Sequence, residues 1–160
     1  VSGQARLIRA MPNTPSMIGK GASAYCLGDC ANEHDEVVAE TIFRSVGIAC
    51  KVEENLINSV TGVSGSGPAY IYLVIEAMAD GGVRAGLPRE TAVELAMQTV
   101  LGAAAMVKET GLHTAILKDM VTSPGGTTIT GLQTLENHGV RAAFINTVMD
   151  VKQRAEELGD

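Results

Sequence analysis

The sequence predicts an α+β fold that is mostly α, with a short α/β segment followed by helices to the C-terminus. Strand-like and helix-like patterns alternate through residues 6–52. From Glu53 onward, apolar residues recur at helical spacing. Hydrophobic residues make up 46% of the chain and aromatic residues 3%, so the core must be aliphatic, which favours packed helices. We therefore predict two domains, residues 1–52 and 53–160.

The first domain is predicted to contain three strands and one helix. The strands are Leu7–Met11, Ala22–Leu27 and Ile48–Val52. A helix is predicted from Glu33 to Val46, closed by Gly47. This alternation is typical of one edge of a nucleotide-binding α/β sheet. The glycine-rich phosphate turn of such domains is not found, because no strand–turn–helix pattern surrounds Gly65-Ser66-Gly67.

The second domain is predicted to be entirely helical. The predicted helices are Glu53–Thr61, Pro68–Val83, Pro88–Thr110, Thr114–Val121, Thr128–Asn137 and Val140–Leu158. The helix that starts at Pro68 is apolar on nearly every face, so we expect it to be buried all round. A bundle this apolar needs more cover than one chain gives, and we predict a dimer whose helices interleave. One face of the last helix carries apolar residues at alternating spacings of four and three, and we call this face the seam. It suits either core packing or a subunit interface and consists of Phe144, Val148, Val151, Ala155 and Leu158.

Charge, hydropathy and cysteine usage exclude several classes of protein. The net charge is −6 without a basic patch, so nucleic acid is not an expected partner. No apolar run reaches membrane-spanning length and no signal peptide is evident, so a membrane is not expected either. Three cysteines at no disulfide-framework spacing indicate a cytoplasmic location. Cys26, Cys30 and His34 do not follow a zinc pattern and lack a fourth ligand, so we expect no metal.

One turn between two helical patterns has the composition of an anion site. It reads Ser123-Pro124-Gly125-Gly126-Thr127-Thr128. Pro124 ends the preceding helix, and the two glycines let a ligand approach the backbone closely. Thr127 and Thr128 are predicted to cap the next helix, whose start offers unpaired N–H groups and a positive dipole end to a carboxylate or phosphate. Taken alone, the pattern favours a simple Pro-Gly-Gly turn followed by a helix cap, because such turns are common.

Three stretches resemble the pyrroline-5-carboxylate reductase family, in its order and at its spacing. They are Arg9-Ala10-Met11-Pro12-Asn13-Thr14-Pro15, then Val63-Ser64-Gly65-Ser66-Gly67-Pro68-Ala69-Tyr70 continued by Glu76-Ala77-Met78-Ala79-Asp80-Gly81, then Val121-Thr122-Ser123-Pro124-Gly125-Gly126-Thr127-Thr128-Ile129. The similarity runs from about Ile8 to the C-terminus. It implies the edge of a Rossmann-like domain followed by a helical dimerisation domain.

The resemblance also implies an activity. The family catalyses the last step of proline biosynthesis, reducing 1-pyrroline-5-carboxylate to L-proline with NADPH or NADH. Self-association into a homodimer, or a larger assembly of dimers, is implied as well. Because the family's N-terminal dinucleotide fingerprint is absent, we expect the chain to be the C-terminal portion of a longer enzyme. Residues 1–160 alone are then expected to have little or no reductase activity.

The resemblance assigns site residues at three places. Thr128 is the catalytic candidate, since the family's threonine there bonds the ring nitrogen. A threonine hydroxyl is too weak an acid to act freely at neutral pH, so we expect it to orient an iminium or relay a proton. The substrate-binding candidates are Ser123, Gly125, Gly126, Thr127 and Ser66. The cofactor-binding candidates are Pro12, Asn13, Thr14 and Glu54.

Two other functions remain open from the sequence. One is a non-catalytic helical dimerisation module in which the glycine turns are only structural. The other is a related two-domain NAD(P)-dependent oxidoreductase acting on a hydroxy acid. Such an enzyme needs a lysine or a similar acid/base in its pocket, and Lys118 is the nearest candidate. On a short amphipathic helix, Lys118 is also suited to a solvated surface position.

Overall fold

The computed structural model describes residues 5–159, so the outer limits of both predicted domains lie outside the described part. Contacts between residues divide the chain into two compact units. The first unit extends to Tyr70 and resumes at Phe144, and the second is Ile71–Ala143. The domain boundary between residues 52 and 53 stays a prediction. The predicted fold class, mostly helical with a small sheet near the N-terminus, is confirmed.

The first unit contains a three-stranded sheet in the order β1-β2-β3. Its strands are β1 (Ile8–Met11), β2 (Gly21–Leu27) and β3 (Gly47–Lys51). β1 runs antiparallel to β2, while β2 and β3 are parallel and are joined through helix α1 (Glu33–Arg44). All three strands lie where the sequence predicts them, to within a residue.

Helix α1 covers one face of this sheet. Its start is fixed by a capping box, in which the Asn32 side chain accepts from two backbone N–H groups and Asp35 accepts from the Asn32 N–H. Tyr25 of β2 is buried and stacks on Phe43, with 6.0 Å between ring centroids. The prediction that Gly47 closes this helix is wrong. Gly47 opens β3 instead, where a Cβ atom would lie 2.0 Å from the Gly21 carbonyl oxygen.

The segment after β3 is a series of short helical turns instead of the single helix predicted over 53–61. A 3-10 turn at Glu54–Leu56 leads into α2 (Ile57–Val60), and then into a π-helical turn at Thr61–Gly65. The π turn is closed by a hydrogen bond from the Ser66 N–H to the Thr61 carbonyl. Such wide turns are found at functional sites, because they leave backbone groups outside the regular ladder.

The last helix, α7 (Val140–Gly159), contributes its C-terminal part to the first unit. A Cβ on Gly62 would lie 2.6 Å from the Val148 carbonyl oxygen, so the two backbones are in direct contact. The middle of the predicted seam is half-buried, whereas Phe144 and Leu158 are exposed. The seam therefore packs in part within this chain and leaves both ends open.

The second unit consists of helices and has a thin core. Its helices are the part of α3 (Gly67–Arg84) from Ile71 onward, α4 (Arg89–Thr110), α5 (Thr114–Met120), α6 (Thr127–Asn137) and the first residues of α7. Ala79 packs against Ala92 and Ala96, with Ile75 and Val83 beside them. Gly111 ends α4 in the left-handed conformation (φ 65°). α5 begins at Thr114 as predicted, and His113 caps it through its Nδ1 atom, which accepts from the Ala115 N–H.

The prediction that the helix starting near Pro68 is buried all round is wrong for this chain. Tyr72 and Leu73 on α3 are 60% and 64% exposed, and only Ala79 on that helix is buried. The reason is that, within a single chain, the buried side of α3 packs against small residues of α4 and its other faces remain exposed. None of the helices within residues 5–159 is long and apolar enough to cross a membrane.

Replacing Gly62 with alanine is expected to destabilise the fold. The new methyl group meets a backbone carbonyl of α7 at 2.6 Å and Val148 Cγ1 at 3.2 Å. Backbone cannot rotate away, so we expect a loss of about 1–3 kcal/mol in the free energy of unfolding, measured by urea denaturation. Ser59→Ala on the neighbouring turn adds no atom and is the control. Equal stability of the two variants would contradict the contact.

Candidate functional site

The Ser123–Thr128 turn is shaped by its two glycines. Gly125 has a φ of 65°, in the region that favours glycine. The Gly126 N–H donates to the Ser123 carbonyl at 3.1 Å. A Cβ on Gly126 would lie 2.3 Å from Ser123 Oγ, so the serine hydroxyl sits directly over the glycine backbone. The turn therefore exposes backbone where other residues would cover it.

The prediction that Thr127 and Thr128 are cap residues is wrong. Gly126 holds the N-cap position of α6, with extended backbone (φ −80°, ψ 177°) and no side-chain cap bond. A cap needs this extended conformation, which leaves the two threonines inside the first helical turn. The first backbone bond of α6 runs from the Thr130 N–H to the Gly126 carbonyl at 3.5 Å. The N–H groups of residues 127–129 thus have no acceptor within the helix.

Thr128 differs from the other threonines of α6. Thr130 and Thr134 donate their hydroxyl groups to carbonyls four residues earlier. Thr128 is half-buried, and its hydroxyl makes no hydrogen bond to any residue of the described chain. A hydroxyl beside unpaired N–H groups at a helix start can contact an anion together with a neighbouring polar atom of the same ligand.

In the first unit, Asn13 connects two of the predicted motifs. Its Nδ2 atom donates to the Ser64 carbonyl at 3.0 Å, and its Oδ1 atom accepts from the Ala22 N–H at 2.9 Å. The loop after β1 is thereby attached to the turn that carries Ser66, which is half-buried just before α3. The flanking residues Pro12 and Thr14 are exposed.

Glu54 belongs to a cluster of charged and polar groups on the face of the sheet that carries Arg9 and Cys26. Its carboxylate accepts from Arg9 at 2.8 Å and from the buried Cys26 thiol at 2.8 Å, while Arg9 also donates to Asn58 at 3.2 Å. The hydrogen bond from Cys26 and the pair with Arg9 lower the pKa of Glu54. Burial, followed by the bond to the Glu54 carboxylate, raises the pKa of Cys26 to about 11.

The predicted site residues fall into both units. Pro12, Asn13, Thr14, Glu54 and Ser66 lie in the first, whereas Ser123, Gly125, Gly126, Thr127 and Thr128 lie in the second. Lys118 pairs with Asp119 at 3.3 Å and is half-exposed. Over residues 5–159 there is no group of three or more His, Cys, Asp or Glu side chains that could hold a metal ion.

Sequence reasoning missed the cluster around Glu54 and the attachment through Asn13. A signal for the first existed, since Arg9 and Cys26 face each other in the β1–β2 register and so share one face of the sheet. The second had no local signal, because Asn13 and Ser64 are 51 residues apart.

Comparison with known proteins gives one family. A family model described as pyrroline-5-carboxylate reductase dimerisation matches residues 54–158. A pyrroline-5-carboxylate reductase of Arabidopsis thaliana is 55% identical over 157 residues, covering 98% of this chain. One from Synechocystis is 54% identical over 153 residues, covering 96% of this chain. The chain spans 57% of the length of each of these two relatives.

Two solved structures share the fold closely. The Plasmodium falciparum pyrroline carboxylate reductase with NADP bound matches with a TM-score of 0.95 and 36% identity, covering 100% of this chain and 61% of its own. A pyrroline-5-carboxylate reductase from Coxiella burnetii matches with a TM-score of 0.94 and 41% identity, covering 98% of this chain and 58% of its own.

The raised pKa of Cys26 predicts a loss of stability at alkaline pH. The folded state favours the protonated thiol, so this stabilisation is complete below the ordinary pKa of 9.0 and is lost as the pH rises to about 11. The difference in the free energy of unfolding between wild type and Cys26→Ala should therefore shrink from pH 9 to pH 11. Urea denaturation measures it, with Cys50→Ala on β3 as control. A difference that stays constant would contradict the raised pKa of Cys26.

Proposed function

This chain belongs to the pyrroline-5-carboxylate reductase dimerisation family, and from that membership we propose that it is part of an NAD(P)H-dependent reductase of 1-pyrroline-5-carboxylate. The product is L-proline. The observation that carries the proposal is the start of α6, where unpaired N–H groups lie beside the unbonded hydroxyl of Thr128. The substrate has groups that match these donors: a carboxylate carried by a small ring, and the imine nitrogen of that same ring.

In this proposal the turn binds the carboxylate through the backbone. The Gly126 N–H already donates to Ser123, so the N–H groups of Thr127 and Thr128 are the available donors. Gly125 and Gly126 allow the approach, and the Ser123 hydroxyl adds a polar contact above them. The Thr128 hydroxyl then orients the protonated imine nitrogen, or relays a proton to it from water. A threonine is suited to that role because it needs no ionisation near neutral pH.

The cofactor-binding candidates at 12–14 suit the nicotinamide end of the dinucleotide. When bound, NADPH or NADH supplies the hydride that reduces the imine carbon. The exposed residues Pro12 and Thr14 offer a surface on which a nicotinamide ring can rest. The turn between β2 and α1 has a single glycine, Gly28, followed by the acidic Asp29, and does not suit phosphates. We propose that the loop 12–14 contacts the nicotinamide end only, through the exposed side chains of Pro12 and Thr14 and through the backbone at Asn13.

Two further assignments are part of the proposal. Ser66, at the start of α3, is proposed as a polar donor toward the substrate ring. Glu54 was assigned to the cofactor, and both of its oxygens already accept hydrogen bonds from Arg9 and Cys26. Its cofactor contact would then use the remaining lone pairs of a carboxylate that stays ionised. The cytoplasmic location inferred from the cysteines is also a proposal.

The competing functions have less support from the contacts. In the hydroxy-acid alternative Lys118 must act as acid or base, yet its ammonium is half-exposed and paired with Asp119. A pure dimerisation module has no need for an unbonded Thr128 hydroxyl at a glycine turn. The enzyme function is therefore favoured, with self-association as one of its parts.

Self-association is supported by the thin core of the second unit. Ala79, Ala92 and Ala96 are its only buried hydrophobic residues in 71–143. Large apolar side chains of the same unit are more than half exposed: Tyr72, Leu73, Leu95, Met97, Leu101, Met120 and Val121. Exposed apolar surface on this scale marks a contact surface. A second copy of the chain is the proposed occupant, as the family's description indicates.

Removing the Thr128 hydroxyl is expected to lower turnover strongly. Thr128→Ala removes one hydrogen bond to a charged nitrogen and should reduce kcat with pyrroline-5-carboxylate about tenfold to hundredfold, while Thr128→Ser should keep most of it. Steady-state kinetics of the full-length protein measure the effect. Thr134→Ala, which removes a hydroxyl from the same helix two turns later, is the control. Full activity in Thr128→Ala would overturn the catalytic assignment.

A charge on α3 is expected to dissociate the assembly. Leu73→Lys places an ammonium on a side chain that is 64% exposed in the single chain. Burial of a leucine contributes about 1.5–3 kcal/mol, and a symmetric dimer contains the residue twice. Sedimentation at micromolar concentration should show monomers for this variant. Met17→Lys, at an exposed residue of the first unit, serves as control, and equal dimerisation of both variants would sink the assignment of α3 to the interface.

A further inference from the structure

Two backbone groups at the predicted motifs are without their usual partners, and one side chain satisfies both. The Ala22 N–H of β2 has no ladder partner, because β1 ends at Met11, before Pro12. Pro68 lies in the first turn of α3, so the Ser64 carbonyl four residues earlier has no helical N–H to accept. A carbonyl or N–H that is left unpaired away from water costs stability.

Asn13 supplies the missing groups. If the β1–β2 register is continued past Met11↔Ala24, Asn13 lies opposite Ala22. The Asn13 backbone carbonyl accepts from the Ser16 N–H at 3.1 Å instead, which begins the Thr14–Ile18 turn. Its side-chain Oδ1 therefore accepts from Ala22, at 2.9 Å. Its Nδ2 donates to the Ser64 carbonyl at 3.0 Å, in place of the N–H that Pro68 lacks.

The amide orientation follows from the partners. A backbone N–H can only donate and a backbone carbonyl can only accept, so the oxygen must face Ala22 and the nitrogen must face Ser64. No other residue type has a donor and an acceptor at this distance from its backbone. Asp keeps the acceptor and loses the donor, while Leu has a similar volume and loses both.

We propose that Asn13 is a positioning residue that couples the loop at Pro12–Thr14 to the turn that carries Ser66, instead of contacting the nicotinamide through its amide. The inference rests on the proposed reductase function. The Asn13 amide fixes the π-helical turn Thr61–Gly65 relative to β1. Gly65 of that turn also packs against Met11 of β1, because a Cβ on Gly65 would lie 3.3 Å from Met11 Sδ. The cofactor candidates Pro12 and Thr14 and the substrate candidate Ser66 are then held in a fixed position relative to one another.

The test is a double-mutant cycle between Asn13→Asp and Pro68→Ala in the full-length protein. Asn13→Asp should lower kcat about tenfold through misplacement of the turn, with the KM for NADPH changed by less than about threefold. Pro68→Ala returns an N–H to the Ser64 carbonyl, so the double variant should recover most of the loss in kcat and in thermal unfolding midpoint, relative to Pro68→Ala alone.

Each outcome decides the proposal. A raised KM for NADPH at unchanged kcat would show a direct cofactor contact and overturn it. A double variant no better than Asn13→Asp, or two variants that both fail to fold, would also overturn it, because the missing donor would not be the cause. If only the double variant folds, the proposal is supported. A wild-type protein that does not reduce pyrroline-5-carboxylate refutes the proposed function, while the unfolding cycle still tests the coupling.

Discussion

The structure depends on how backbone groups are satisfied where prolines and glycines interrupt regular elements. Pro12, Pro68 and Pro124 each lie within a predicted site motif. Between the first two motifs, the Asn13 side chain supplies the partners that the Ala22 N–H and the Ser64 carbonyl lack. After Pro124 and its two glycines, the first N–H groups of α6 have no acceptor within the helix. The same rule therefore produces rigid coupling in one unit and open donors in the other.

Apolar cover is the second constraint. The core of the second unit is built from alanines, which bury little surface each, whereas its large side chains point outward. Alanine at the α3–α4 contact allows the helices to approach closely, and Gly82 in the same helix leaves room for Leu87 and Ala92. The core of the second unit is thus too thin to cover its large apolar side chains. The proposed second copy of the chain would bury this exposed apolar surface.

The sequence predicted well where the signal was local. The three strands lie within a residue of their predicted bounds, and α4 ends at Thr110 as predicted, where Gly111 follows in the left-handed conformation. The predicted cap of α6 was one or two residues too late, since glycine and threonine are both accepted at the cap position. The prediction that α3 is buried all round was wrong, because the periodicity of apolar residues shows which faces of a helix are apolar but not what packs against them. The Asn13 contacts, between residues far apart in sequence, had no local pattern to reveal them.

The chemistry of the candidate anion site is set by the backbone instead of by charged side chains. The chain has a net charge of −6, and the Ser123–Thr128 turn contains no ionisable residue. A carboxylate bound there is held against the overall field of the protein by short-range contacts with N–H groups and the helix dipole. Because amides do not titrate, the affinity of such a site does not follow the ionisation of protein side chains. The ionisable cluster around Glu54 lies in the first unit, where Arg9 pairs with the carboxylate. A carboxylate in the proposed site would therefore be recognised by backbone geometry, without any ionisable side chain of the Ser123–Thr128 turn.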